Sequence, residues 1–260
     1  GRGIAVRGAS VMIEQIAPIL IMAGIFAAAG MVQGVSGFGF GLLSVALLGL
    51  VWPDPKQATI LPLLPNMAIC AYILWSCRKR IPWSLVWIYA IATAIGVPAG
   101  VWLLKQVSEI VIYAGLGTLL FVSAAYSLLP RHRSKPWHRV YLGVPMGLLT
   151  GGLGGAFNTG GPPAIAFFSN QRLDRIQYTA GLQSVFMVAG IVRLGSLVGA
   201  DMLPARVALV SGIGIIGAII GVAIGLALLR RTSEARIRTL IRLAQFALAA
   251  MYFARVYRLM

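Results

Sequence analysis

The chain has 260 residues, 59% of them hydrophobic and 11% charged, with a mean hydropathy of +0.87. Soluble domains carry about 25% charged residues, so the composition describes an all-α polytopic membrane protein and leaves no room for a soluble domain. The 22 Lys and Arg outnumber the 6 Asp and Glu, for a net charge of +16. These basic residues fall in short connections between apolar stretches, which fits cytoplasmic loops facing anionic lipid better than a nucleic-acid surface. No nucleic-acid partner is expected, and so positive a field attracts small anions.

In chain order, apolar length, punctuation and flanking charge predict segments at 14–51, 56–77, 82–104, 108–129, 140–170, 174–199, 204–230 and 235–258. Trp52, Trp75, Trp83, Trp102 and Trp137 lie at or near segment ends, as an interfacial belt requires. Cys70 and Cys77, two turns apart on one helix face, are too distant for a disulfide and read as packing residues. No cleavable signal peptide is evident, and the start at Gly1 is compatible with a processing remnant.

Two segments are exceptional. At about 1.5 Å per residue, 14–51 as one straight helix would be nearly twice as long as the hydrocarbon core is thick. It is interrupted by "GVSGFGFG" (34–41), and 140–170 is interrupted by "GGLGGAFNTGGPP" (151–163). Both predict broken helices or re-entrant hairpins. An ungapped match of "GVPAGVWLLKQVSE" (96–109) with "GVAIGLALLRRTSE" (221–234) points to an internal repeat. The expected organisation is a first repeat over 1–129, a basic central loop at 130–139 and a second repeat over 140–260. Each repeat is a Gly-rich broken element followed by three helices. Counting Lys and Arg barely separates six crossings from eight. The lightly basic "KQVSE" and heavily basic "RRTSEARIR" occupy equivalent positions, which favours inverted halves on opposite sides.

Irregular backbone at membrane depth is tolerated where protein buries it or where it lines a wet cavity. Discontinuous helices of repeat-built transporters aim free N-termini at anions there. Pro162 and Pro163 suit the first turn of a restarting helix, and Asn158 and Thr159 add side-chain donors just before it. Gly160 and Gly161 are therefore binding candidates, with Ser36, Gly37 and Gly39 as their counterparts in the first half. Gln33, Asn66, Gln183 and Arg193 are the other polar residues at depth and join the candidate set. Asn66 follows "PLLP" (62–65), a kink signal, and Gln183 falls at a similar depth in the second half. Arg193 lies about two turns from its segment end, within snorkelling reach of the interface. Gly115, Gly117, Gly195 and Gly212 read as packing positions.

The acids Glu14, Asp54, Glu109, Asp174, Asp201 and Glu234 lie near segment ends or in loops, and His132 and His138 in the central loop. No metal-ligand spacing, phosphate loop or activated nucleophile is evident. Neither an enzyme nor a cofactor is expected, and a cation transporter would want buried carboxylates.

The Gly-rich elements "QGVSGFGFGLLSVALL" (33–48) and "GLLTGGLGGAFNTGGPPAIAFF" (147–168) resemble the paired signatures of the TauE/SafE family. These are sulfite-exporter-like proteins, also called the toluene-sulfonate uptake permease family. Gly34, Gly37, Gly39 and Gly41 match its G-x-x-G-x-G-x-G pattern, whereas Asn158 and Thr159 stand within what is usually a denser glycine run. The resemblance implies a multi-pass protein of a prokaryotic plasma membrane that moves a small sulfur-containing anion: sulfite, sulfoacetate or another organosulfonate. Export by alternating access is the leading expectation, with the inside-negative potential able to drive an anion outward. The alternatives are a proton- or sodium-coupled uptake permease and a non-transport membrane partner. Besides substrate and membrane lipids, a second copy is a possible partner, through outward-facing Gly212, Gly217, Gly221 and Gly225.

Overall fold

The computed structural model describes residues 20–128, 141–229 and 234–260. The central loop 130–139 lies outside them, as do Glu14, Trp137 and Arg230. The described residues form helices, with no strand among them. In order these are α1 (Leu20–Ser36), α2 (Phe40–Val51), α3 (Pro55–Ile60), α4 (Leu63–Cys77), α5 (Trp83–Gln106), α6 (Glu109–Tyr126), α7 (Gly143–Phe157), α8 (Gly161–Ser169), α9 (Arg175–Gly199), α10 (Ala205–Leu229) and α11 (Glu234–Leu259).

Six stretches among the described residues are long and apolar enough to cross a membrane, the first running through α3 and α4 together. At 12, 15 and 9 residues, α2, α7 and α8 are too short to do so. Large apolar side chains such as Trp75, Trp83, Trp102, Ile95 and Ile216 stay exposed, as lipid-facing surface requires. Local chemistry sets the helix starts. Asp54 caps α3 by accepting from the Lys56 and Gln57 amides, with Pro55 in the first turn. Asp174 and Gln177 form a reciprocal capping box on α9. The stop between Ile60 and Leu63 falls at Leu61 and Pro62 and divides the second predicted segment into α3 and α4.

Contacts fix which ends of the helices lie together. At one end Lys56 Nζ donates to the Lys105 carbonyl and Lys105 Nζ to that of Ala200. At the other end Arg80 pairs with Asp174 at 2.8 Å. α2 returns to the lysine end, where Trp52 Nε1 donates to Gln57 Oε1 and Arg255 to the Gly49 carbonyl. α8 returns to the Arg80 end, where Phe168 and Pro82 pack on Gly181. Each broken element thus turns back to its own end, and the two enter from opposite ends.

Each is also held against a helix that is distant in sequence. α7 lies on α5, with Gly96 facing the Leu148 carbonyl, Gly100 that of Gly152, and Gly151 that of Thr93. α1 lies on α10 in the same manner, with Gly217, Gly221 and Gly225 against the carbonyls of Ala23, Ala27 and Met31. A side chain at any of these positions would strike backbone. Gly217, Gly221 and Gly225, read from the sequence as outward-facing, therefore pack inside the molecule; Gly212 meets nothing within 4 Å. Gly115 and Gly117 face the rings of Phe157 and Phe253, while Gly195 also has open space. Cys70 and Cys77 are free and buried.

Candidate functional site

The two helix breaks meet in the middle of the bundle. In the first, Gly37 and Gly39 take φ of +79° and +103°, left-handed conformations that glycine adopts at no steric cost. In the second, Asn158 has φ +56° and ends α7, a position asparagine tolerates better than most side chains. The Asn158 carbonyl lies directly against Gly41, so the breaks touch through backbone. Beside that contact is a cavity of about 50 Å³, several times the ~10–15 Å³ that one water needs.

Of the sequence candidates, Gln33, Gly39, Asn66, Asn158, Thr159, Gly160, Gly161 and Arg193 line this cavity. Ser36, Gly37 and Gln183 do not. Ser36 Oγ donates within its own turn, to the carbonyls of Val32 or Phe38 at 2.7 and 2.6 Å. Gln183, read from the sequence as a cavity-facing partner of Asn66, is instead consumed by the first break. Its Nε2 donates to the Gly37 carbonyl at 2.9 Å, and its Oε1 accepts from Gln33 Nε2 at 3.4 Å. Gln33 Oε1 in turn accepts the Phe40 amide at 3.0 Å. These two amides close the exposed backbone of the α1–α2 break, as a capping side chain does at an ordinary helix start.

Arg193 departs furthest from its sequence reading. It does not snorkel to the interface; it is 1% exposed and turned into the bundle. Its Nε donates to the Gly155 carbonyl at 3.0 Å and its Nη1 to the Thr59 carbonyl at 3.2 Å. Both acceptors exist because helices stop there: Thr59 lies one residue before the end of α3. Gly155 is in the last turn of α7, where the Thr159 amide turns to the Leu153 carbonyl instead. The guanidinium therefore joins α9 to α3 and α7.

Three buried donors of the lining residues remain without a partner among the described residues: Arg193 Nη2, Asn158 Nδ2 and Thr159 Oγ1. An unsatisfied buried polar group costs about 1–3 kcal/mol, more when charged. Among the described residues no acid lines the cavity, and the Arg80–Asp174 ion pair lies at the bundle end. Both returning half-helices begin at the cavity. Gly41 and Leu42 from the first turn of α2, and Gly161 and Pro162 from that of α8, are among its lining, so the positive ends of two helix dipoles converge there. The second start differs from the expected ring of free amides, because Pro162 and Pro163 remove two of them. Side-chain donors stand in their place. Among the described residues the lining thus combines one cation and two further unpartnered side-chain donors with no acid, a balance suited to an anion.

The sequence reading missed Thr150, Ser123, Phe38, Phe186 and Gly190, which also line the cavity. Thr150 hydrogen bonds at 2.7 Å to Tyr89 Oη, which also lies 3.1 Å from the Met146 carbonyl. A Cβ on Gly160 would strike the Thr150 carbonyl, so this network sits directly under the second break. A polar residue amid the apolar 143–157 was the available signal, but a helical threonine so often bonds its own backbone that it carries little. Among the described residues no group of His, Cys, Asp and Glu could hold a metal ion.

Among the described residues, six apolar spans and two short hairpins that turn back to their own ends describe a multi-pass membrane protein. The chain belongs to the family described as "Sulfite exporter TauE/SafE", whose family model matches residues 21–252. Membership carries membrane transport of sulfur-containing anions such as sulfite. No curated protein and no solved structure matches the chain.

Proposed function

We propose that this protein is a secondary carrier, not an enzyme, that moves sulfite, sulfoacetate or another small organosulfonate outward across a prokaryotic plasma membrane. The substrate's oxygens sit in the cavity between the two breaks, accepting from Arg193 Nη2, Asn158 Nδ2 and Thr159 Oγ1. The observation that carries the reading is that three residues lining one cavity each bury a donor without a partner, one of them charged, with no acid in the lining among the described residues. A substrate anion supplies both the missing acceptors and the missing countercharge.

Alternating access by two inverted halves is supported by the hairpins entering from opposite ends. It is supported also by the aligned glycines of the repeated motif: Gly96 and Gly100 receive α7, and their counterparts Gly221 and Gly225 receive α1. Because each hairpin is docked on a helix of the other half, the units that rock would be α5 with the α7–α8 hairpin and α10 with the α1–α2 hairpin, exposing the same cavity to each side in turn.

The test is exchange of radiolabelled sulfite in proteoliposomes of purified protein, with unlabelled sulfite on both sides. Wild type should equilibrate the label, and the double variant Asn158→Gly, Thr159→Val should not. Glycine keeps the backbone conformation of residue 158 while removing its amide. Folded wild-type protein that moves neither sulfite nor sulfoacetate would sink the reading.

A further inference from the structure

From the partners of Arg193 we infer that this carrier is an anion exchanger: its halves pass between the two access states only with an anion in the cavity, so an outgoing anion is matched by an incoming one. The inference rests on the carrier reading above and adds the transport stoichiometry to it.

Among the described residues Arg193 is the only charged one lining the cavity, and it is 1% exposed. Among the described residues the carboxylates of Asp54, Glu109, Asp174 and Asp201 all lie at or beyond helix ends, and none lines the cavity. A guanidinium cannot shed its proton at neutral pH, so it has no means of neutralising itself when the site is empty. The two bonds it makes are to fixed carbonyls on different parts of the chain. Gly155 lies on α7, which is docked on α5, whereas Thr59 lies on α3. A motion of α9 relative to α3 breaks or lengthens the bond from Nη1 to Thr59.

With an anion held by Nη2, Asn158 and Thr159, the guanidinium keeps a charged partner throughout that motion, and the site crosses nearly neutral. Without one, a bare cation that is 1% exposed loses a carbonyl and gains no partner. A ligand speeds or shifts a transition only through its differential interaction with the states along it, and here the anion interacts most where the empty protein is least satisfied. Return of the empty carrier is therefore the forbidden step. When the two anions carry equal charge, the gradient of the incoming anion, not the membrane potential, sets the direction of net movement.

The experiment uses proteoliposomes of the whole protein loaded with radiolabelled sulfite, with the potential held at zero by valinomycin and equal potassium on both sides. The external medium contains either sulfite or gluconate, an anion too large for the cavity. The expected result is that external sulfite accelerates loss of label about tenfold or more over gluconate, a barrier difference of about 1.4 kcal/mol. Arg193→Gln should bring the ratio of the two rates close to one, and Arg193→Lys, which keeps the charge, should retain most of it. Equal wild-type rates in sulfite and gluconate would overturn exchange while leaving the carrier reading intact. Absence of flux in both media would overturn the two together. The wild-type comparison decides the matter even where a variant fails to fold.

Discussion

The two helix breaks use similar punctuation to opposite ends. The break between α1 and α2 has its polar side chains already bonded: Ser36 within its own turn, Gln33 on the Phe40 amide, and Gln183 reaching across from α9 to the Gly37 carbonyl. In the break between α7 and α8 the backbone is closed by the Asn158 and Thr159 amides and by Arg193 on the Gly155 carbonyl, while the side-chain donors Asn158 Nδ2, Thr159 Oγ1 and Arg193 Nη2 are left without a partner among the described residues. A chain interruption inside a membrane protein can thus be a support or a recognition surface. Whether its polar side chains are already spent distinguishes the two.

The largest expected effect comes from the charged member of the open break. Arg193→Gln should weaken sulfite binding about 100-fold, within the 2–5 kcal/mol range for removing one side of a buried charged pair; titration of purified protein in detergent reads it. Next is Gly41→Ala, which forces a methyl group into the Asn158 carbonyl where the breaks touch. It should cost about 1–3 kcal/mol of overpacking, seen as a lower thermal midpoint together with lost transport. The comparison is sharpest between Gln183→Leu and Thr159→Val. The first should destabilise by about 1–3 kcal/mol by orphaning the Gly37 carbonyl, with a smaller effect on affinity. The second should leave stability unchanged or raise it, because it removes an unpaired hydroxyl, and should lower affinity about tenfold. Equal stability losses in both would erase the distinction between the breaks.

The smallest effect concerns the bundle end. Asp174 accepts the Gln177 amide and pairs with Arg80, which hold its carboxyl below the usual carboxylate range. A depressed folded value means its contribution is intact above the unfolded value, about 3.9, and is lost as pH falls through the lower folded value. Asp174→Asn should flatten that acid-side loss in a pH series of thermal midpoints, and it should leave anion binding untouched.

Much of this was legible in the sequence because glycine, proline and polar residues are exceptions in so apolar a chain. The two breaks and the donors Asn158 and Thr159 stand out for that reason, and so does Asn66 after its prolines. What could not be read was which way a side chain turns once neighbours are present. Snorkelling distance placed Arg193 near the interface, but the carbonyls that draw it inward are freed by two helix stops, one 38 residues away at Gly155 and the other 134 away at Thr59. Gln183 shares a depth with Asn66, yet its amide is spent on a turn brought against it only by folding. The glycines of α10 looked outward-facing because the helix that covers them, α1, is at the other end of the chain.

The glycine seams between α5 and α7, and between α1 and α10, have a mechanical side. Ordinary helix pairs are keyed together by side-chain ridges seated in grooves, and sliding one along the other means lifting every ridge over its neighbour. Where a carbonyl faces glycine the backbone itself is the key: it seats in the notch the missing side chain leaves, and on both seams the notches run in both directions. Displacement along the helix axis would carry each carbonyl out of its notch and onto a neighbouring side chain. Each hairpin is therefore latched to the helix that receives it and travels with it.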